Sequence, residues 1–321
     1  MDWCTIVEVA VVAYIVLQLV RLLFADCDLQ LQWTDKFGRS TGVLTRKVVW
    51  ITGASSGIGE YLSYELAKAG CRLVLSARRE GELQRVKKEC LSYGTLMDDD
   101  ILVLPLDMLK FDLHQPAVDE VLSRFKQIDV LVNNAGRSQR AQWEKTDLQV
   151  DRDMLEINVL SVLSLTKLVL PHMLERKEGH IVNMSSVSGK LGSPLSGSYT
   201  GAKHALQGWF DCLRVEMFPR NITVTNICPG PVFSNLLKGS FTENSGELLG
   251  VEMKEGEKRM NTRRCARLCA VAIANKLDEV WIALQPILLF VYIGQYMPTI
   301  AGWCFKRAGV KFMMKFREGQ H

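Results

Sequence analysis

Tyr199-Thr-Gly-Ala-Lys203 places a phenol and an ammonium at positions i and i+4. On a helix these two share one face. A free tyrosine has a pKa of about 10 and offers little phenolate at neutral pH. A neighbouring cation favours the phenolate and moves the group toward a useful acid–base range. Thirteen residues upstream, Ser186 follows the β-branched run Ile181-Val-Asn-Met-Ser185. From a strand end its hydroxyl can reach the same pocket and hold a carbonyl oxygen. The chain repeats the spacing at Tyr64-Glu-Leu-Ala-Lys68, where Ile51 stands thirteen residues before the tyrosine. That copy is read as a structural helix. The spacing alone therefore carries little; serine, tyrosine and lysine together carry the chemistry.

A second set of residues points to a phosphate-bearing cofactor. Lys47-Val-Val-Trp-Ile-Thr52 runs directly into Gly53-Ala-Ser-Ser-Gly57-Ile-Gly59 and then a helical pattern. Glycine permits close backbone approach, and the free N–H groups of a helix N-terminus attract pyrophosphate. Ser55, Ser56 and Ile58 of the same turn join Gly53, Gly57 and Gly59 as expected contacts. The spacing is G-x-x-x-G-x-G, and alone such a turn can be purely structural. The next strand candidate ends in Ser76-Ala77-Arg78-Arg79. An acidic residue there would hold the ribose hydroxyl of NAD, whereas arginine grips a 2′-phosphate. The arginines favour NADP(H), unless both are solvated residues opening the next helix. Asp107, ending the third strand candidate, either meets the adenine amino group or caps the following helix.

These groups need a scaffold, and residues 47–285 supply its pattern. Seven apolar, β-branched runs occur: Lys47–Thr52, Arg72–Ala77, Ile101–Leu106, Ile128–Val132, His180–Ser185, Thr223–Cys228 and Val280–Ala283. Each is apolar on both faces, as strands of a helix-covered parallel sheet must be. Helical patterns alternate with them at 57–70, 79–93, 113–126, 147–176, 198–218 and 262–276. The expectation is an α/β chain with one doubly wound Rossmann-type domain. Ligands then bind beyond the C-terminal strand ends. Residues 25–46 read as a polar linker, and 235–260 as a mobile loop over the site.

The remaining composition excludes other classes. The net charge of +4 is small and evenly spread, so nucleic acid is not expected as the main partner. Nine cysteines occur without a Cys-x-x-Cys pair, and five histidines without a His-x-x-x-His pair, so neither a disulfide framework nor a metal site is expected. The ends differ from the body. Val9–Val20 carries no charge, with Glu8 before it and Arg21 after it. A cleaved signal peptide would want a basic start, which Asp2 and Glu8 deny, so residues 1–24 read as a signal-anchor. Residues 286–321 form an apolar and then basic extension. Its apolar part is interrupted by Gly294, Pro298 and Gly302; Lys306, Arg307, Lys311, Lys315 and Arg317 follow. Three readings stay open for it: an interfacial membrane dock, a subunit interface, and a cover over the substrate pocket.

Taken in order, Thr52-Gly53-Ala-Ser-Ser-Gly57-Ile-Gly59, Asn133-Asn134-Ala135-Gly136, Asn158, Ser186, Tyr199/Lys203 and Pro229-Gly230 resemble the short-chain dehydrogenase/reductases over residues 45 to 285. The resemblance implies Tyr199 as the proton donor to a carbonyl oxygen. It gives Lys203 the tuning of that tyrosine and the hold on the nicotinamide ribose. Ser186 would orient the carbonyl, and Asn158 would anchor a water in a proton relay. Asn133, Ala135 and Gly136 would shape the wall by the adenine ribose. Pro229, Gly230, Val232 and Ser234 would follow the nicotinamide, with Ser234 where the family usually has threonine. Ala202 stands before the lysine where the family often has serine. The implied activity is NADPH-dependent reduction of lipophilic carbonyl compounds, such as retinoids, steroids or aromatic xenobiotics, at the endoplasmic reticulum membrane. The alternatives are NAD(P)-dependent oxidation of hydroxysteroids or retinol, and a non-catalytic membrane scaffold that keeps the fold. Family members often pair through the helices placed here at 147–176 and 198–218, so the resemblance admits a homodimer.

Overall fold

A computed structural model describes residues 2–254 and 256–319, apart from the side chains of Leu19, Leu22 and Arg317. Seven strands form one parallel sheet: β1 (Val48–Thr52), β2 (Arg72–Ala77), β3 (Ile101–Pro105), β4 (Val130–Asn133), β5 (Gly179–Met184), β6 (Ile222–Pro229) and β7 (Glu279–Ile282). Their order is β3-β2-β1-β4-β5-β6-β7. Every expected strand is present, with ends shifted by no more than a few residues. The pleat sends alternate side chains into two cores. Val49, Ile51, Leu73, Leu75, Val132 and Val182 face one layer, and Val48, Trp50, Val74, Leu131 and Ile181 the other.

The first layer holds α3 (Gly57–Lys68), α4 (Glu80–Ser92) and α9 (Thr262–Ala274); the second holds α5 (His114–Phe125), α7 (Ser161–Arg176) and α8 (Gly197–Met217). Trp50 is fully buried, and its indole N–H donates to Ser76 Oγ at 2.8 Å, so its one polar atom costs nothing in that core. The helix expected over 147–176 is two: α6 (Leu148–Leu155) and α7, joined by a π-helical turn at Glu156–Leu160. Strand order reverses between β1 and β4, which opens a crevice at their C-terminal ends.

Residues 25–46 correct the linker expectation, because they are folded. After α1 (Trp3–Leu23), Asp28 caps α2 (Leu29–Phe37) by accepting from Leu31 N at 2.9 Å, and it also accepts from Trp281 N at 2.6 Å beside β7. Cys27 and Leu31 are fully buried. Arg264 of α9 binds Asp26 at 2.8 Å and Asp35 at 2.9 Å. The composition is polar because the segment is held largely by ions and caps, with Ala25, Cys27, Leu31 and Leu44 as its buried apolar anchors. The 21-residue α1 is exposed along its apolar length and spans about 31 Å at the helical rise, near the thickness of a bilayer core. At the other end, α10 (Ile287–Tyr296) and α11 (Pro298–Arg317) fold back over the body, with Leu288 and Val291 buried against Val187 and Ala283. Of the interruptions seen in the sequence, Pro298 divides α10 from α11, whereas Gly294 and Gly302 lie inside those helices; α11 kinks instead at Gly309.

Candidate active site

β1 delivers the chain to a turn with φ of +67° at Gly53 and +61° at Gly57. A side chain is strained in that region, and a Cβ at Gly57 would also stand 3.1 Å from Ser234 Cβ. Gly59 has a different task. A Cβ there would lie 2.5 Å from Asn134 Nδ2 and from Gly53 O, so its bareness lets α3 close on the turn. Thr52 Oγ1 accepts from the N–H groups of Asn134 (3.0 Å) and Ala135 (3.1 Å), and Asn134 Nδ2 donates to Thr52 O at 2.9 Å. These bonds lock the ends of β1 and β4 together where the sheet reverses.

A cavity of about 580 Å³ opens above the turn. Gly53, Ser55, Ser56, Gly57, Ile58, Arg78, Arg79, Asp107, Ala135, Gly136, Pro229, Gly230, Val232 and Ser234 line it, together with Asn158, Ser186, Tyr199 and Lys203. Gly59 and Asn133 are not in its wall. Asn133 is buried with its Nδ2 donating to Thr166 Oγ1 at 2.9 Å, so it knits β4 to α7, and Asn134 holds the place by the cavity. The signal was present in the pleat, since adjacent asparagines at a strand end cannot face the same way. The loop after β6 covers the opening through Asn235, Leu236, Lys238 and Leu248, as expected for 235–260. Phe241 fastens it by bridging to Gln139 and Leu248.

One end of the cavity is cationic. Arg79 Nη2 donates to Ser55 Oγ at 3.1 Å, which draws that guanidinium over the turn. Arg137, unnoticed in the sequence, lines the same cavity. Burial lowers its pKa, Arg78 lowers it further, and Asp107 opposes both. Asp107 Oδ1 accepts from Leu109 N at 3.2 Å in the turn after β3; it does not cap the following helices, whose N-cap residues are Lys110 and Leu113. A turn that a Cβ would obstruct, beside gathered guanidinium groups, fits the phosphates of a dinucleotide.

The opposite end gathers the candidate catalytic residues. Lys203 and Tyr199 are buried on one face of α8, with Lys203 Nζ 5.7 Å from the Tyr199 ring centre. Nζ donates to Met184 O at 2.7 Å, and burial brings the ammonium pKa down to about 8. His204 points to another, exposed face, as its position beside Lys203 required. Ser186 Oγ accepts from Ser188 N at 3.1 Å and donates to Pro229 O at 3.3 Å. Asn158 lies in the π-helical turn; its Oδ1 accepts from Arg137 N at 3.0 Å, and its Nδ2 donates to Met154 O at 3.2 Å. Gly136 must be bare, since a Cβ would lie 2.5 Å from Asn158 Oδ1. A second, smaller cavity of about 130 Å³ adjoins the first, and Ser186 and Tyr199 line both. Its far wall is Ile287, Phe290, Phe305, Met313 and Phe316 from α10 and α11. The apolar extension thus covers the pocket, one of the three readings left open for it.

The sequence profile described as short chain dehydrogenase matches residues 47–245. The chain belongs to the short-chain dehydrogenase/reductase family. It is accordingly an NAD(P)-dependent oxidoreductase. Dehydrogenase/reductase SDR family member 7 of Homo sapiens is 48% identical over 99% of this chain and 95% of its own length. Dehydrogenase/reductase SDR family protein 7-like of Drosophila melanogaster is 35% identical over 84% of this chain and 82% of its own. Among solved structures of the family, a short-chain dehydrogenase from Streptomyces avermitilis aligns with a TM-score of 0.68 at 28% identity, covering 81% of this chain and 96% of its own. A Burkholderia phymatum short chain dehydrogenase/reductase in complex with NAD shares the fold with a TM-score of 0.69 at 23% identity, over 80% and 95% of the two chains.

Proposed function

We propose that this chain is an NADP(H)-dependent reductase of lipophilic ketones and aldehydes, of the retinoid, steroid or aromatic xenobiotic kind, anchored in the endoplasmic reticulum membrane. The observation that carries the reading is the place of Ser186 and Tyr199 on the wall common to a dinucleotide-sized cavity and an apolar one. The turn at Gly53–Gly57 and the wall at Pro229 and Gly230 would hold a nicotinamide dinucleotide, which would supply a hydride to the carbonyl carbon. The Ser186 hydroxyl turns from Pro229 O to the carbonyl oxygen and polarises it. Tyr199 gives its proton to that oxygen, and the Lys203 ammonium beside the ring stabilises the phenolate left behind. Asn158 keeps the neighbouring wall in place through Arg137 N. Arg78, Arg79 and Arg137 favour the 2′-phosphate.

The test is NADPH oxidation by the detergent-solubilised full chain with a panel of lipophilic ketones and aldehydes. Turnover with NADPH well above that with NADH supports the reading; no turnover across the panel overturns it. The exposed apolar α1 is consistent with membrane association, and removal of residues 1–24 should move the protein from the membrane to the soluble fraction. Exposed Leu148, Leu155, Trp209 and Val215 on α6 and α8 support pairing of two copies through these helices, which the molar mass from light scattering at working concentration checks.

A further inference from the structure

The smaller cavity is not uniformly apolar. Two guanidinium groups line it beside Ser186 and Tyr199: Arg140, from the loop after β4, and Arg259, just ahead of α9. Arg259 has its counterion, since Nε donates to Glu257 and Nη2 to Glu318 O. Arg140 is different. Its backbone N–H is fixed to Phe241 O at 2.9 Å, and its Nη1 donates to Ser138 Oγ at 2.6 Å and Gln139 O at 2.8 Å. Those acceptors hold the group in place without neutralising it. Among the described residues, no carboxylate forms an ion pair with Arg140, and the only carboxylate whose field reaches it is that of Glu318. Burial lowers its pKa to about 10, with a field from Tyr199 and Glu318 opposing and one from Arg259 adding. It therefore stays charged at neutral pH.

An unneutralised buried cation is expensive, and other arginines of this chain avoid that state; Arg264, for example, binds both Asp26 and Asp35. The planar fork of arginine matches a carboxylate with two parallel bonds. We propose that the substrate pocket takes a lipophilic carbonyl compound that also bears an anionic group, an oxo-acid, with the carboxylate on Arg140, the carbonyl at Ser186 and Tyr199, and the hydrocarbon body against Phe290, Phe305 and Phe316. The inference rests on the carbonyl-reductase reading of the site and narrows its substrate class. A neutral ketone fills the apolar wall but brings no anion to Arg140, so the acid is the better substrate of a matched pair.

The test uses the full chain, NADPH and medium-chain oxo-fatty acids that differ in the carbon count between carbonyl and carboxylate, each paired with its methyl ester. The ratio of kcat/KM for acid over ester cancels any effect a substitution has on Tyr199. In the natural protein the best acid should exceed its ester by about ten-fold or more, and Arg140→Met should lower that ratio by about ten-fold, as expected for a charge-assisted hydrogen-bond pair. Arg140→Gln, which keeps a donor for Ser138 and Gln139, gives the same reading if the methionine variant does not fold. Arg140→Lys should restore part of the ratio. A ratio unmoved by either neutral substitution overturns the proposal. If neither acids nor esters turn over, the reductase reading falls separately. Calorimetric binding of dodecanoate against dodecanol then decides: tighter dodecanoate binding that disappears in the variant upholds the anion site, and equal binding overturns it.

Discussion

Two Tyr-x-x-x-Lys sequences lie in this chain, each on a helix that packs against the same sheet, and their fates are opposite. In α8, Tyr199 faces two cavities and Lys203 is buried with a carbonyl as its hydrogen-bond acceptor. In α3, the Tyr64 hydroxyl donates to Glu60 Oε1 at 2.8 Å, and burial together with that carboxylate pushes the phenol pKa up. Lys68 has turned away, pairing with Glu65 at 2.7 Å and lying 4.8 Å above the Tyr93 ring. Spacing puts a phenol and an ammonium on one helix face, and the neighbours decide whether the pair can move a proton. A carboxylate beside the phenol opposes the phenolate; an ammonium without a carboxylate partner favours it.

The largest test of that contrast removes one hydroxyl at a time. Tyr199→Phe should cost at least about 10²-fold in reductive kcat, the range for a positioned acid, and Tyr64→Phe should leave kcat unchanged. Equal losses would break the contrast. The next test is pH. Lys203 has a pKa brought down to about 8, so it is charged below that value and gives up its proton above it. Reductive kcat/KM should hold a plateau on the acid side and fall as pH rises through about 8 (the direction in which the phenolate loses its cation). A profile flat to pH about 10, the ordinary lysine range, would deny Lys203 that part. A smaller and more selective effect belongs to the cationic end, which only the α8 pair shares a cavity with. Arg78→Ala with Arg79→Ala should weaken NADPH binding by about 10- to 100-fold and leave NADH nearly unchanged, a loss equal to one charge-assisted contact of about 1.5–3 kcal/mol, since Arg137 remains beside the phosphate. Fluorescence titration of both nucleotides reads this directly.

What the sequence made legible follows from the range of the interactions. β1 and β5 are buried along their whole length, so their apolar runs stood out without any knowledge of their neighbours. The turn at Gly53 and Gly57 depends on backbone conformation over a few residues, and so does the shared face of Tyr199 and Lys203. Long-range pairings were invisible. Arg264 meets Asp26 from 238 positions away, which is why residues 25–46 passed for a linker. The apolar pocket wall is assembled from α10 and α11, and Arg140 gains its meaning only when those helices close over it. The break between α6 and α7 escaped notice because the π-helical turn Glu156–Leu160 contains no proline or glycine to mark it.

The subtlest prediction asks whether Glu60 is what silences the α3 pair. Glu60 accepts from Tyr64 and binds Arg85 at 2.8 Å, so it restrains the phenol on the surface of α3. Glu60→Gln removes the negative charge but keeps an acceptor. The Tyr64 pKa should move down toward the ordinary tyrosine value without reaching it, because burial, the larger cause, remains. Ultraviolet difference titration against Tyr64→Phe isolates that one phenol. Stability should fall by about 1 kcal/mol, the net worth of a part-exposed ion pair and hydrogen bond, which is a few degrees in Tm for a domain of this size. Reductive activity should not rise. Tyr64 opens onto α4 and Arg85 and lines neither cavity, so a freed phenol there has no carbonyl to protonate. If Glu60→Gln in a Tyr199→Phe background restored turnover, electrostatics alone would make the acid, and the cavity would lose its place in the account.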